Sequence, residues 1–347
     1  MKNVRILAAV ALAGGVLAGF GVEREELRIY TWSDYIAPVV IARFEKANNC
    51  KVVVDTFDSN EAMFAKLKAG AAGHDIIMPS SYQIPLMERS GMIQALDHAK
   101  LPHVRRNFDR RFAVNILDPS FFMSVPYAVT YTGIAYRKDK VGAAPVNSWK
   151  VFETPALKGR MSLLGDMRET IGAGLMYLGY SMNSSEPAQI AKAADVVIGW
   201  RRNVAKLDNE QYKTAVASGE LLVGHGYSSD VIQVMLDNAN VGFALPKEGF
   251  AIACDEMVIA AGSKKVDLAH KFIDFCYDPD VAAANMRKIC APMPVAGAFA
   301  KLEEKLRDIL LLDPAALKEG EVIRDFSDQP EVQSLYVGAW ERIKSAK

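Results

Sequence analysis

Along the first third of the chain, short and mostly apolar stretches alternate with longer ones whose apolar residues recur three and four apart. "LRIYTW" (27–32), "KVVVDTF" (51–57) and "HDIIMPS" (74–80) are of the first kind and predict strands. "PVVIARFEKANN" (38–49), "SNEAMFAKLKAG" (59–70) and the shorter "PLMERSG" (85–91) predict helices. Ser59 or Asn60 opens the second helix and Gly70 closes it, as ordinary start and stop residues do. Strands without polar alternation, separated by helices, belong to a parallel sheet covered on both faces, so the predicted class is α/β.

A long extended segment follows, "FFMSVPYAVTYTGIAYRKD" (121–139), and then a second α/β series. That series runs through "NSWKVFETPALKG", the strand "RMSLLG", the helix "ETIGAGLMYLGY", the strand "LLVGHGY", the polar turn "SSD" and the helix "VIQVMLDNA". A second extended crossing, "VGFALPKEGFAIACDEMVIAAG" (241–262), precedes what reads as one long helix over 266–289. There is no internal repeat, low-complexity tract or Gly/Ser linker, so the two crossings are the expected hinge. A chain of 347 residues, half of them hydrophobic, suits two domains. A two-lobed body with a cleft is the expected architecture.

Residues 1–21 read as an export signal: Lys2 and Arg5 precede "ILAAVALAGGVLAGFG", which is too short and too rich in small residues to span a membrane comfortably. The approach to position 20 resembles a lipoprotein cleavage site, but Phe20 stands where the lipid-bearing Cys would be. A membrane tether is therefore expected only of a sequence carrying Cys there. Cys50, Cys254, Cys276 and Cys290 would meet an oxidising compartment, but their irregular spacing favours buried thiols over a disulfide framework. Lys plus Arg balances Asp plus Glu at 41 each, which gives nucleic acid no purchase as a partner.

In open α/β sheets, ligands bind outside the carboxyl ends of the strands. The loops there offer Trp32, Ser33, Asp34 and Tyr35; Ser80, Ser81 and Tyr82; Asp166 and Glu169; Tyr227, Ser228, Ser229 and Asp230; and Asp255 with Cys254 and Glu256. Carboxylates and aromatics dominate, and Arg168 is the main exception, so the cleft suits a cation. A chain of methylenes ending in ammonium groups needs carboxylates at its ends and aromatic faces between them. Taken singly, Ser33, Asp34, Ser80 and Asp230 serve equally well as helix caps, the aromatics as core residues, and Asp166 with Glu169 as a solvated first-turn pair. The functional reading rests on their meeting in one place. His74, His98, His103, His225 and His270 show no metal-ligand spacing, and no GxGxxG, GxxxxGK[ST] or GxSxG motif is present. No cofactor or metal is expected. A triad of His225, Ser228 and Asp230 is disfavoured, because both partners lie in the same turn and no oxyanion donor is identifiable.

"WSDY", "SNE", "PSSY", "GHGYSSDV" and "LPKEG", in this order and spacing, closely resemble the bacterial periplasmic putrescine- and spermidine-binding proteins. The similarity runs over residues 27–347. It implies the type II periplasmic binding protein fold, with 27–132 plus 256–303 as one lobe, 133–255 plus 304–347 as the other, and a hinge beside an interdomain ligand cleft. It also implies a monomeric, periplasmic, non-enzymatic receptor that hands a polyamine to the membrane permease of an ABC importer. By motif it implies ligand-binding roles for Trp32, Ser33, Asp34, Tyr35, Ser80, Tyr82, Asp166, Glu169, Tyr227, Asp230 and Asp255. The chain departs from the family at Ala253 and Ala291, where aromatics are usual, and at Phe326, where some members use Gln.

Asp34 and Asp230 incline the expectation towards putrescine over spermidine. In the expected arrangement Asp255 and Asp230 hold one ammonium, Ser33, Asp34 and Glu169 meet the other, and Trp32, Tyr35, Tyr82 and Tyr227 line the chain between. Alternatives are a receptor of this fold for another cation or a metal such as Fe(III), an enzyme acting on amines, and a structural surface protein. The tyrosines are spread one per loop and no nucleophile or cofactor Lys is evident, which disfavours the first two.

Overall fold

The computed structural model describes residues 24–70, 72–115, 117–310, 319–324, 326 and 328–346; the predicted export segment lies outside them. Among the described residues, five strands precede or open the first crossing: β1 (Glu25–Trp32), β2 (Cys50–Phe57), β3 (Ile76–Ile77), β4 (Ile93–Gln94) and β5 (Val125–Arg137). Six follow: β6 (Met161–Leu163), β7 (Lys206–Leu207), β8 (Val223–Tyr227), β9 (Val241–Ala244), β10 (Phe250–Ala260) and β11 (Gly320–Val322). Their order is β2-β1-β3-β10-β5-β8-β6-β7, with β4 and β11 beside β10 and β9 beside β5.

Each end of this array is parallel, β1 with β2 and β3 at one end and β6 with β7 and β8 at the other. The inner strands β3 and β6 are buried throughout, whereas the edge strand β2 leaves Lys51, Val54 and Thr56 exposed and β7 is only half-buried, so cover on both faces is complete only towards the middle of the sheet. The two extended crossings are β5 and β10, which pair antiparallel to each other. Beyond that shared ladder, Val258 and Ile259 of β10 join β3, whereas Thr132–Tyr136 of β5 join β8. Two strands thus belong to both lobes.

The apolar core divides in the same way. One core gathers Ile29, Phe44, Val52, Phe272 and Met286; another gathers Trp149, Phe152, Met161, Trp200 and Tyr336. The helix Glu304–Leu310, expected with the second lobe, instead buries Leu306 and Leu310 in the first core. Seven residues carry too little pattern to declare which core will cover them.

The long helix expected over 266–289 is two helices, Val266–Cys276 and Pro279–Ile289. Pro279 lacks the N–H that would continue the first helix, and its ring would clash with the carbonyl of Phe275. It is instead the first residue of the second helix, which Asp278 caps by accepting from Asp280 N at 2.9 Å and Val281 N at 3.3 Å. All four cysteines are free and buried.

Candidate ligand site

Where β10 crosses between the lobes, its pairing with β5 shifts register between Asp255 and Glu256. Such a bulge re-aims side chains. Here Asp255 lines a cavity of about 380 Å³ while Glu256 does not. All eleven residues singled out from the sequence line that same cavity, contributed by both lobes. Its charged lining comprises Asp34, Asp58, Asp166, Glu169, Glu210, Asp230 and Asp255 against the single Lys213.

Asp255 is buried, and both of its oxygens are held from the first lobe: Tyr35 Oη donates to Oδ2, and Ser80 Oγ donates to Oδ1 at 2.7 Å. Asn60, at the start of the helix Asn60–Lys68, sets Ser80 in place and ties it to Tyr82. Its Nδ2 donates to Tyr82 Oη at 2.9 Å and to Ser80 Oγ at 3.1 Å, while its Oδ1 accepts from Ser80 N at 3.1 Å. Burial pushes the Asp255 carboxyl up to about 6, against the two hydrogen bonds that favour the charged form.

A second acidic group sits at the start of the helix Met167–Tyr177. Asp166 caps that helix by accepting from Glu169 N at 3.0 Å, and Glu169 is buried, its Oε2 accepting from Thr132 Oγ1 at 2.8 Å. Burial, and then the neighbouring Asp166, push Glu169 up to about 8; burial likewise raises Asp166. Glu61, on the helix Asn60–Lys68 of the opposite lobe, is pushed up to about 7, first by burial and then by Asp166. Arg168 offsets this repulsion only in part. Its guanidinium lies over the Phe326 and Tyr336 rings, 4.6 and 4.8 Å from their centroids, and donates to Arg324 O and Asn183 Oδ1.

Two expected ligand carboxylates are already paired within the protein. Asp230 accepts from Lys213 Nζ at 2.7 Å and Tyr212 Oη at 3.0 Å, and Asp34 accepts from Lys288 Nζ at 2.9 Å. Each of these carboxylates thus has a lysine partner with which an incoming ammonium would compete. The expected near-absence of basic residues fails at Lys213. Lys213 reaches the cleft from the first turn of the helix Tyr212–Ser218, which follows β7. That two-residue strand is too short an apolar run to be expected from the sequence, so its loop, of which Asn209, Glu210 and Gln211 also line the cavity, was not among those anticipated. Gly226 makes this approach feasible, since a Cβ there would lie 2.2 Å from the Tyr212 ring.

The aromatic lining consists of Trp32, set edge-on against Phe57 with centroids 4.5 Å apart, together with Tyr35, Tyr82 and Tyr227. Burial raises the Tyr82 and Tyr227 phenols well above their ordinary value, so both stay neutral. Of the three family departures, only Ala253 lines the cavity. Ala291 packs in the first core, and Phe326 stacks on Tyr336 in the second. The solvated-pair alternative fails for Asp166 and Glu169, since Glu169 is buried and Asp166 caps the helix. The capping alternative fails for Ser33 and Asp34, because the helix Pro38–Asn48 starts from Ala37, whose N donates to Asn285 Oδ1, and it fails for the Ser80 and Asp230 side chains. His225 is buried against Trp149 and pulled down to about 3 by burial, and Ser228 Oγ accepts from Tyr131 N, so no triad forms. Sequence reasoning missed Asn60, Glu61, Thr132 and Lys213. The "SNE" run marked the first two, but its polar residues also read as an ordinary helix start.

Two α/β lobes sharing two crossing strands, with a buried polar cleft between them, define the class of two-lobed solute receptors. The chain belongs to the bacterial extracellular solute-binding proteins, whose family model matches residues 40–303. A putrescine/cadaverine-binding protein of Pseudomonas aeruginosa is 33% identical, covering 95% of this chain and 96% of its own length. A spermidine/putrescine-binding periplasmic protein of Escherichia coli is 31% identical, covering 99% and 98% respectively. A solved Listeria monocytogenes structure named for a spermidine/putrescine ABC transporter superposes with a TM-score of 0.86 at 32% identity, covering 93% of this chain and 100% of its own.

Proposed function

We propose that this chain is an extracytoplasmic polyamine receptor that delivers its ligand to an ABC importer, and that putrescine is its preferred ligand. The observation that carries this reading is the pair of separate acidic poles, Asp255 on β10 and Asp166 with Glu169 on the second lobe, in one aromatic-lined cavity. Asp255 is raised by burial alone, whereas Asp166, Glu169 and Glu61 repel one another, so the poles act as two centres. One ammonium meets Asp255 with Tyr35 and Ser80 around it; the other meets Glu169 and Asp166. Trp32, Tyr35, Tyr82 and Tyr227 cover the methylenes, each aromatic face contributing about 0.5–2 kcal/mol where a cation lies over it. Ser33, Asp34 and Asp230 complete the walls.

Two poles suit a diamine. The third ammonium of spermidine would meet Asp230 already occupied by Lys213. The relatives named for putrescine/cadaverine and for spermidine/putrescine stand at 33% and 31% identity, too near each other to separate the ligands, so support for putrescine comes from this geometry. Residues 27–132 with 256–303 make one lobe and 133–255 with the C-terminal segment the other, except that the helix Glu304–Leu310 goes with the first; β5 and β10 are the hinge on which they close.

Calorimetry on the chain after unfolding and refolding to remove carried-over ligand tests this with putrescine, cadaverine, spermidine and spermine. Putrescine is expected to bind tightest. Tighter spermidine binding overturns the preference, and heat from none of the four overturns the reading. Lys213→Ala frees Asp230, and on the proposed geometry spermidine affinity then rises by about tenfold while putrescine changes less. Equal gains for both ligands would argue against Asp230 as the third acidic point.

A further inference from the structure

On the other face of the β10 bulge lies a second cavity, of about 360 Å³, whose lining includes Ser81, Ser124, Glu256, Phe122, Leu117 and Ile84. The doublets Ser80-Ser81 and Asp255-Glu256 divide between the two cavities, the first residue of each lining the cleft and the second this one. Glu256 is 1% exposed. Its Oε2 accepts from Ser124 Oγ, but its Oε1 is buried with no hydrogen-bond partner. A buried carboxylate oxygen without a partner is costly, and native structures supply one.

The rest of the lining limits what that partner can be. Asp118 already accepts from Ser120 N, Ser120 Oγ and Met123 N, so both of its oxygens have partners within its own loop. Glu88 stands at the exposed rim, and among the described residues no Lys, Arg or His lines the cavity. Among the described residues no group of three His, Cys, Asp or Glu side chains is placed to hold a metal. Phe122 is 54% exposed and Leu117 40% exposed, an apolar wall beside the acid. We propose that this cavity is a second ligand site, for a small alkylamine whose ammonium pairs with Glu256 Oε1 and whose alkyl part lies against Phe122, Leu117 and Ile84. It is separate from the cleft and does not depend on what the cleft binds.

Burial pushes the Glu256 carboxyl up to about 8, with Asp118 and Asp255 adding repulsion. Its other titratable neighbours are Glu88 at the rim and the buried Tyr277 and Cys254, both held neutral. Capture of an ammonium therefore expels a proton near neutral pH.

The test is titration of the full chain with n-butylamine, followed by amide NMR shifts and by calorimetry in two buffers of different ionisation enthalpy. Saturable shifts are expected at Ser81, Phe122, Ser124 and Glu256, with proton release at pH 7. Glu256→Gln is expected to weaken this event by about 30-fold or more, while Asp255→Asn retains it. Phe122→Ala, at an exposed position that leaves the fold intact, is expected to weaken it by several-fold. Shifts confined to Trp32 and Tyr227, loss in Asp255→Asn but not in Glu256→Gln, or no saturable event would each overturn the proposal. Failure of the second site leaves polyamine binding in the cleft untouched, since the polyamine calorimetry reads that separately.

Discussion

Asp255→Asn is expected to lower putrescine affinity on the order of 100-fold with the fold retained. A buried carboxylate facing an ammonium, with two hydroxyl donors completing its shell, is the kind of partner whose removal costs about 2–5 kcal/mol. Asparagine keeps the volume and one acceptor for Tyr35 or Ser80, so the loss reads the charge and not a collapsed cavity. Because burial already disfavours that charge, the empty variant should melt no lower than the wild type at neutral pH. Calorimetry with putrescine, alongside a thermal melt without it, measures both quantities. An affinity within about threefold of the parent would remove Asp255 from its proposed place as an ammonium partner.

Putrescine affinity is expected to rise by about 10- to 100-fold between pH 6 and pH 8. In the empty cleft Asp255, Glu61 and Glu169 are held up at about 6, about 7 and about 8, first by burial and, for the two glutamates, then by Asp166. An ammonium pairs with the ionised forms. The free protein therefore carries more protons than the complex, and binding releases them. The ligand's own amines titrate at about 10 and stay charged throughout. Proton release at pH 7, read from binding heats in two buffers, should approach one per ligand, and Glu169→Gln should flatten the slope. A pH-independent affinity would contradict the coupling.

The same groups set the stability of the empty protein. Their folded values lie above the unfolded ones, so the folded state binds more protons from about 4.5 to about 8. Stability from this source is complete at the low end of that window and is lost as pH rises through the folded values. The melting temperature of the empty chain should fall from about pH 5 to pH 8, and bound putrescine should narrow that fall.

The strand-end loops of the first lobe were readable because a parallel α/β unit announces its strands by unbroken apolar runs and its binding edge by the polar and aromatic residues directly after each run. That logic singled out Trp32, Tyr35, Ser80 and Tyr82, and its counterpart in the second lobe Glu169, all of which line one cavity; Asp255, inside β10, was marked by the second crossing and the family resemblance instead. The same logic failed where a partner came from elsewhere in the chain. Lys213 meets Asp230 and Lys288 meets Asp34 across 17 and 254 residues, and nothing local marks either lysine. It failed also at the break near Pro279, where the apolar spacing continued on both sides while the backbone could not.

By itself the sequence determined the α/β class, the two crossings and the chemical character of the cleft, since each is written in local periodicity and in residue types at strand ends. Only the tertiary structure decided which carboxylates remain free for a ligand. Whether an acid is solvated, capped, ion-paired or held near neutrality depends on burial and on charges brought close by folding, and those distances are not encoded at any one position.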